Sequence, residues 1–211
     1  MILLLDTSSS QLSIGLATED GILLSEFHDK PDANTGQRAI HDALLAIETA
    51  NLLNRGSALA SEITRIGIII GPGSFTGLRI GLSFAKGLAF AVGAGIVSMT
   101  VHEVLQAGNP SHNGYILTSG YRPDLFYVAE SDSPREIRLV SGAELSDLTP
   151  KPVLAHNSIT IHSSSIDPSI VAGLSMATMA HIASESSKLV IGAALDGLEP
   201  LYLTEFNVAQ R

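Results

Sequence analysis

The stretch GPGSFTGLRIG, residues 71–81, constrains the fold of this chain more than any other segment. It follows the apolar run 66–70, broken only by Gly67, and opens into a long segment of small and apolar residues. The turn therefore lies at the carboxyl end of an apolar strand, the edge of an open sheet where ligands usually bind. Two phosphate-binding readings fail on spacing. A Walker loop needs Lys followed by Ser or Thr behind its last glycine, and Leu78 and Arg79 follow Gly77. A dinucleotide fingerprint needs a glycine three residues after Gly73, where Thr76 stands. What remains is a strand-to-helix turn in which Gly71 and Gly73 permit unusual backbone angles around Pro72 and Ser74 or Thr76 caps the helix.

The helix behind the turn, 76–92, carries Gly77, Gly81, Ala85 and Ala89 at four-residue intervals, and Gly93 continues the spacing just past its end. Each helical glycine costs about 0.8–1 kcal/mol relative to alanine, so two on one face need a packing reason. The bare face fits either the protein's own sheet or the backbone of a partner helix. A second helix is expected from 33 to 54, with the bulky stripe Ile40, Leu44, Ile47 and a small stripe Ala39, Ala43, Ala46, Ala50 about 90° further round. That arc is wider than packing on one sheet requires.

The other elements follow from period. Ile2 to Leu5, ending in Asp6, reads as a buried strand, 12–17 alternates as a second, and Asp20-Gly21 turns the chain into a third at 22–28. Strands at 66–70 and 95–98 complete the first half. The second half repeats the order: strands at 115–119, 125–130 and 137–140, a short helix near Glu144, a strand at 153–155 and a helix at 176–188. This is an α/β chain of two βββαβα units, 1–108 and 109–211, with its seam at Gly108-Asn109-Pro110. The Ser-rich region 157–175 reads as loop.

Composition narrows the chemistry. The formal charge is −9 with no Lys/Arg cluster, which argues against binding nucleic acid or an anionic membrane unaided. There is no cysteine, so thiolate metal sites and a cysteine nucleophile are excluded. The seven histidines form no HxxxH or HExxH pair, and no GxSxG frames a serine nucleophile. The start MILLLDTSSS has no basic segment ahead of its apolar run, so no leader is expected and the cytoplasm is the expected location. Asp6, Thr7 and Ser8, with Gly71 and Gly73, are the candidate nucleotide-binding residues. Asp6 either holds a metal-bound water or caps its own turn through Ser8. No catalytic residue, metal ligand or cofactor is expected.

Three segments, LLLDTSSSQLSIGL, GIIIGPGSFTGLRIGLSFAKGLA and the terminal EPLYL, together resemble the TsaB family, also called YeaZ. The resemblance implies an actin-like ATPase (RNase H-like) duplication. It also implies a non-catalytic subunit that pairs with a TsaD-type paralogue, which transfers threonylcarbamoyl to adenosine 37 of tRNAs and is joined by a TsaE-type ATPase. tRNA would be met only through that complex, and no membrane would be involved; the apolar arc spanning the two helices predicts that the chain alone forms a homodimer. Two departures stand out: Asn34-Thr35 replaces a His-Ser or His-Thr pair, and SGYRP replaces an Asp-Ala-Arg hairpin, leaving Arg122 as its basic match. No Gly-Gly adenosine-site pair occurs. The competing function is a small actin-like ATP-dependent phosphotransferase. The expected partner surface is Ala39, Ala43, Ala46 and Ala50 with Gly77, Gly81, Ala85 and Ala89.

Overall fold

The first strand, β1 (Ile2–Asp6), is buried at every residue because helices cover both faces of its sheet. The computed structural model describes residues 1–29, 41–122, 124–148, 151–156 and 169–203. β1 pairs antiparallel with β2 (Leu12–Ala17), and β2 antiparallel with β3 (Leu23–Asp29) across the turn where Gly21 takes φ +81°. On its other side β1 pairs parallel with β4 (Arg65–Gly71), and β4 with β5 (Gly95–Thr100). The spatial order is β3-β2-β1-β4-β5.

The second sheet repeats this. β6 (Tyr115–Ser119), β7 (Leu125–Glu130) and β8 (Ser133–Ser141) are successive antiparallel neighbours. β9 (Val153–His156) runs parallel to β6, and β10 (Ile170–Ala172) parallel to β9. The order β8-β7-β6-β9-β10 reproduces the first sheet strand for strand, so the chain is the expected actin-like α/β duplication.

Helices α1 (His41–Arg55) and α2 (Phe75–Val92) lie side by side on one face of the first sheet. Leu45, Leu52, Leu82, Ala85 and Ala89 pack there against Leu3, Leu5, Ile66 and Ile68. The opposite face, carrying Ile2, Leu4, Val97 and Met99, packs on α3 (Val101–Gly108) and α5 (Met176–Glu185). Ile116 and Leu154 of the second sheet join that same core, so α3 and α5 bind the lobes together. A third core lies on the far face of the second sheet under α4 (Gly142–Asp147).

Several expectations need correction. α3 was not anticipated, although Thr100 and Glu103 form the capping box that starts it. Residues 170–172, expected in a loop, are a strand. α5 stops at Glu185, where Ser186 turns extended. A boundary at 108/109 divides the sheets, yet the end of the chain returns to the first lobe. There Ile96 and Val190 exchange hydrogen bonds of 2.8 and 2.9 Å, and Leu201 N–H donates to the Ile70 carbonyl at 2.8 Å. Ala39 and residues 157–168 lie outside the described residues.

The main correction concerns α2. Gly77, Gly81, Ala85 and Ala89 do not face a partner; they are buried in the chain's own interior. A Cβ on Gly77 would come within 2.1 Å of the Thr7 carbonyl oxygen, and one on Gly81 within 2.3 Å of Thr7 Oγ1. The bare stripe exists so that the turn after β1 can lie directly on the helix. α2 is also long and apolar enough to cross a membrane, but this buried face makes it a core helix.

One hydrogen bond ties the lobes at depth. His102 on α3 is fully buried, and its Nε2 donates to the Tyr127 carbonyl on β7 at 3.1 Å. Burial pulls its pKa down to about 4, the Tyr127 carbonyl opposes this, and His156 nearby adds to the depression.

Two outcomes follow. Gly77→Ala should destabilise by at least about 1–3 kcal/mol, the usual cost of overpacking. Gly87→Ala, whose Cβ meets nothing within 4 Å, should instead gain up to about 1 kcal/mol in helix propensity. Denaturant melts separate the two. For His102, the unfolded ring protonates near its ordinary 6.5 while the folded ring waits until about 4, so the unfolded state binds more protons between those values. Stability from this group is complete above about pH 6.5 and falls as pH drops toward 4, by about 3 kcal/mol in all. Melts from pH 7.5 to 4 should show that slope flattened in His102→Gln, which keeps a donor but does not titrate.

Candidate functional site

β1 and β6 point their carboxyl ends at each other, and a cleft of about 450 Å³ opens between them. Its near wall is the turn after β1. The Asp6 carboxylate accepts from Ser8 N–H at 2.9 Å and from Ser8 Oγ at 2.6 Å, so Asp6 closes its own Asx turn. Ser9 Oγ accepts from Gln11 N–H at 3.1 Å, which bends the chain into β2. The Ser8 carbonyl accepts from Ser74 N–H at 2.6 Å, seating the turn on the amino end of α2. Ser74 caps that helix by accepting from Gly77 N–H at 3.2 Å.

The roof comes from the returning chain end. Arg79 Nε donates to Tyr202 Oη at 2.9 Å, and the Arg79 guanidinium lies 4.2 Å over the Phe75 ring. Phe75 and Tyr202 have centroids 5.1 Å apart. Three planar groups, with the Phe75 and Tyr202 rings tilted by 38°, thus meet at one end of the cleft.

The far wall belongs to the second lobe. Register pairs Thr118 with Tyr127 across β6 and β7, and sets His156 beside Thr118 on β9. All three line the cleft with Ser119, Gly120 and Tyr121. Thr118 is buried and its Oγ1 meets no hydrogen-bond partner among the described residues. Burial holds His156 below the ordinary histidine pKa, while the Asp6 carboxylate opposes that shift, which places the two groups within electrostatic reach across the lobes. Among the described residues no Asp, Glu, Lys or Arg lines the cleft. Arg122 pairs with Asp124 at 3.4 Å and stacks on exposed Tyr121, away from the floor.

The structure thus brings together Ser8 and Gly73, which line the cleft, with Asp6 and Thr7 in the wall behind. Gly71, at φ +137°, stands next to Leu201. Thr118, Tyr127, His156 and Tyr202 complete the site and were not anticipated; they come from the second half, where His156 reads as one more isolated histidine. Among the described residues no group of three His, Cys, Asp or Glu could hold a metal ion.

Comparison with known proteins adds a lineage to this geometry. Residues 38–137 match the family model described as TsaD, tRNA N6-adenosine threonylcarbamoyltransferase. The Bacillus subtilis tRNA threonylcarbamoyladenosine biosynthesis protein TsaB is 31% identical over 117 residues, 54% of this chain and 47% of that protein. The match thus spans about half the length of that curated relative. YeaZ from Pseudomonas aeruginosa superimposes with a TM-score of 0.68 at 17% identity, covering 96% of this chain and 99% of its own. A second solved structure, a protein with similarity to peptidase YEAZ from Pseudomonas aeruginosa, gives a TM-score of 0.73 at 17% identity with the same coverage. These structures speak for the fold, and the sequence matches speak for descent. Over about half its length the chain is thus similar in sequence to TsaB and to the TsaD family model, and over nearly all of it the fold is that of YeaZ.

Proposed function

We propose that this chain is a scaffold subunit that pairs with a TsaD-type catalytic paralogue to make threonylcarbamoyladenosine at position 37 of tRNAs. The names of the matched family and of the Bacillus relative supply the pathway. The observation that carries the scaffold role is the outward face of α1 and α2. Ala43, Ala46, Ile47 and Ala50 are exposed on α1, with Ile47 at 55%. On α2, Gly87 and Ala91 are exposed and Phe90 reaches 83%. The two helices cover the same sheet face, so these residues form one apolar surface, which on a soluble protein marks an interface. Gly87 has open space above it and lets a partner approach closely.

The Ala43, Ala46 and Ala50 stripe keeps its place in this proposal. Gly87 and Phe90 take over from the buried Gly77 and Gly81. Without its paralogue the chain uses the same surface to form a homodimer, and a TsaE-type ATPase joins the pair. tRNA is reached through the complex, since the chain's own charge is −9. A reaction on tRNA places the protein in the cytoplasm. The chain itself is non-catalytic in this reading: among the described residues no Asp, Glu, Lys or Arg lines the cleft, and the Asp6 carboxylate is already engaged by Ser8.

Two experiments test this. The chain should co-purify with the TsaD-type protein of its own genome, and Ile47→Asp and Phe90→Asp should each abolish pairing while changing the fold's stability by no more than about 0.5 kcal/mol. Retention of the partner by both variants would move the interface elsewhere. Purified chain with ATP and magnesium should show no turnover above background. Turnover that Asp6→Ala abolishes would make the chain an enzyme.

A further inference from the structure

We propose that a notch on the flank of α2, outside the space between the lobes, binds a free α-amino acid with an apolar side chain. The notch holds about 340 Å³, within the range of roughly 300–1,000 Å³ usual for small-molecule sites. Among the described residues its lining comes from α2 and from 196–202, and it shares only Tyr202 with the cleft. Two tethers set its walls. Lys86 Nζ donates to the Asp196 carbonyl at 3.2 Å, and Arg79 Nε donates to Tyr202 Oη at 2.9 Å. The segment 196–202 therefore runs antiparallel to α2, and Glu199, midway along it, falls opposite Ser83. Arg79 and Lys86 stand two helical turns apart, about 10 Å along the axis, so Ser83 and Glu199 occupy the middle of the notch.

The charges of the notch select the ligand. Arg79, Ser83 and Lys86 follow one another at i, i+4 and i+7 on one helix face, and all three are donors. Among the described residues Arg79 commits only its Nε, and the Phe75 ring 4.2 Å beneath holds the guanidinium in place. Both Nη groups are left for a carboxylate. On the opposite wall Asp196 and Glu199 are exposed, and neither carboxylate enters an ion pair among the described residues. The lining thus carries two positive and two negative groups that do not neutralise one another. A phosphate meets repulsion from Asp196 and Glu199, and a simple amine meets it from Arg79 and Lys86. A molecule with carboxylate and ammonium on one carbon satisfies both walls, the first on Arg79 and Ser83, the second on Glu199. Leu82, Leu198 and Pro200 complete the lining with apolar surface, which suits an apolar side chain.

The test is calorimetric titration of the intact chain, without a partner, so binding here and pairing through α1 and α2 can each fail alone. The probes are L-valine, isovalerate and isobutylamine, the last two keeping the side chain and one charge each. L-valine should bind with Kd below about 1 mM, and the two single-charge probes at least tenfold more weakly. Glu199→Gln, at an exposed position, should leave the melting temperature unchanged, weaken L-valine about tenfold and leave isovalerate no weaker. Ser83→Ala, exposed on α2 and favourable to the helix, should weaken L-valine and isovalerate alike. Absence of L-valine binding, isovalerate or isobutylamine binding as tightly as L-valine, or an unchanged L-valine affinity in Glu199→Gln would each overturn the proposal.

Discussion

The contact between the turn after β1 and the first two turns of α2 determines the rest of the first lobe. Thr7 places its carbonyl and side chain in the space that Cβ atoms of residues 77 and 81 would fill. Gly73 makes room in the same way for the Ser8 backbone, whose carbonyl then accepts from Ser74. Three glycines spaced four residues apart therefore serve one purpose. They bring the end of the central strand onto the start of a helix that crosses the sheet. With a side chain at any of them, α2 would stand off from β1, the core beneath Leu82 and Ala85 would open, and the cleft would lose its near wall.

That contact also shows where sequence reasoning stops. Periodicity revealed that α2 has a bare face, because the four-residue recurrence of glycine and alanine is local. It could not reveal what stands opposite. The answer is a residue about seventy positions earlier, and glycine looks the same whether it admits the chain's own backbone or another's. The outward face was harder to see because it mixes Gly87 with Phe90 rather than following one stripe. The strands were legible because a buried strand reads as an apolar run and the hairpin at Asp20-Gly21 announces itself. Helix α3 left a clear mark, Thr100 and Glu103 at capping-box spacing, but its eight residues carry too little period to stand out.

The candidate site was half legible for a related reason. Asp6, Ser8 and Gly73 end apolar strands or begin a helix, and such positions are known to lie at a sheet edge. Thr118, Tyr127 and His156 sit at equivalent edges in the second sheet, yet their neighbourhood depends on register between three strands. A threonine, a tyrosine and a histidine on separate strands give no joint signal until β6, β7 and β9 are aligned. His102 is less visible still: in sequence it is one histidine of seven, and only its burial against the Tyr127 carbonyl distinguishes it.

The duplication itself supplies the final step. β1 and β6 are both five residues long and occupy the same central position in their sheets, so Asp6 at the end of one corresponds to Ser119 at the end of the other. A site built to hold a metal-bound triphosphate gains from an acid at both ends, since the ion offsets their repulsion. Here one end keeps its carboxylate and turns it inward to Ser8, and the other offers a hydroxyl. His156, beside that second end, is held below the ordinary histidine pKa by burial, a shift that Asp6 opposes. The two halves thus share their topology and differ at their facing ends, a carboxylate engaged by its own turn on one side and a hydroxyl on the other.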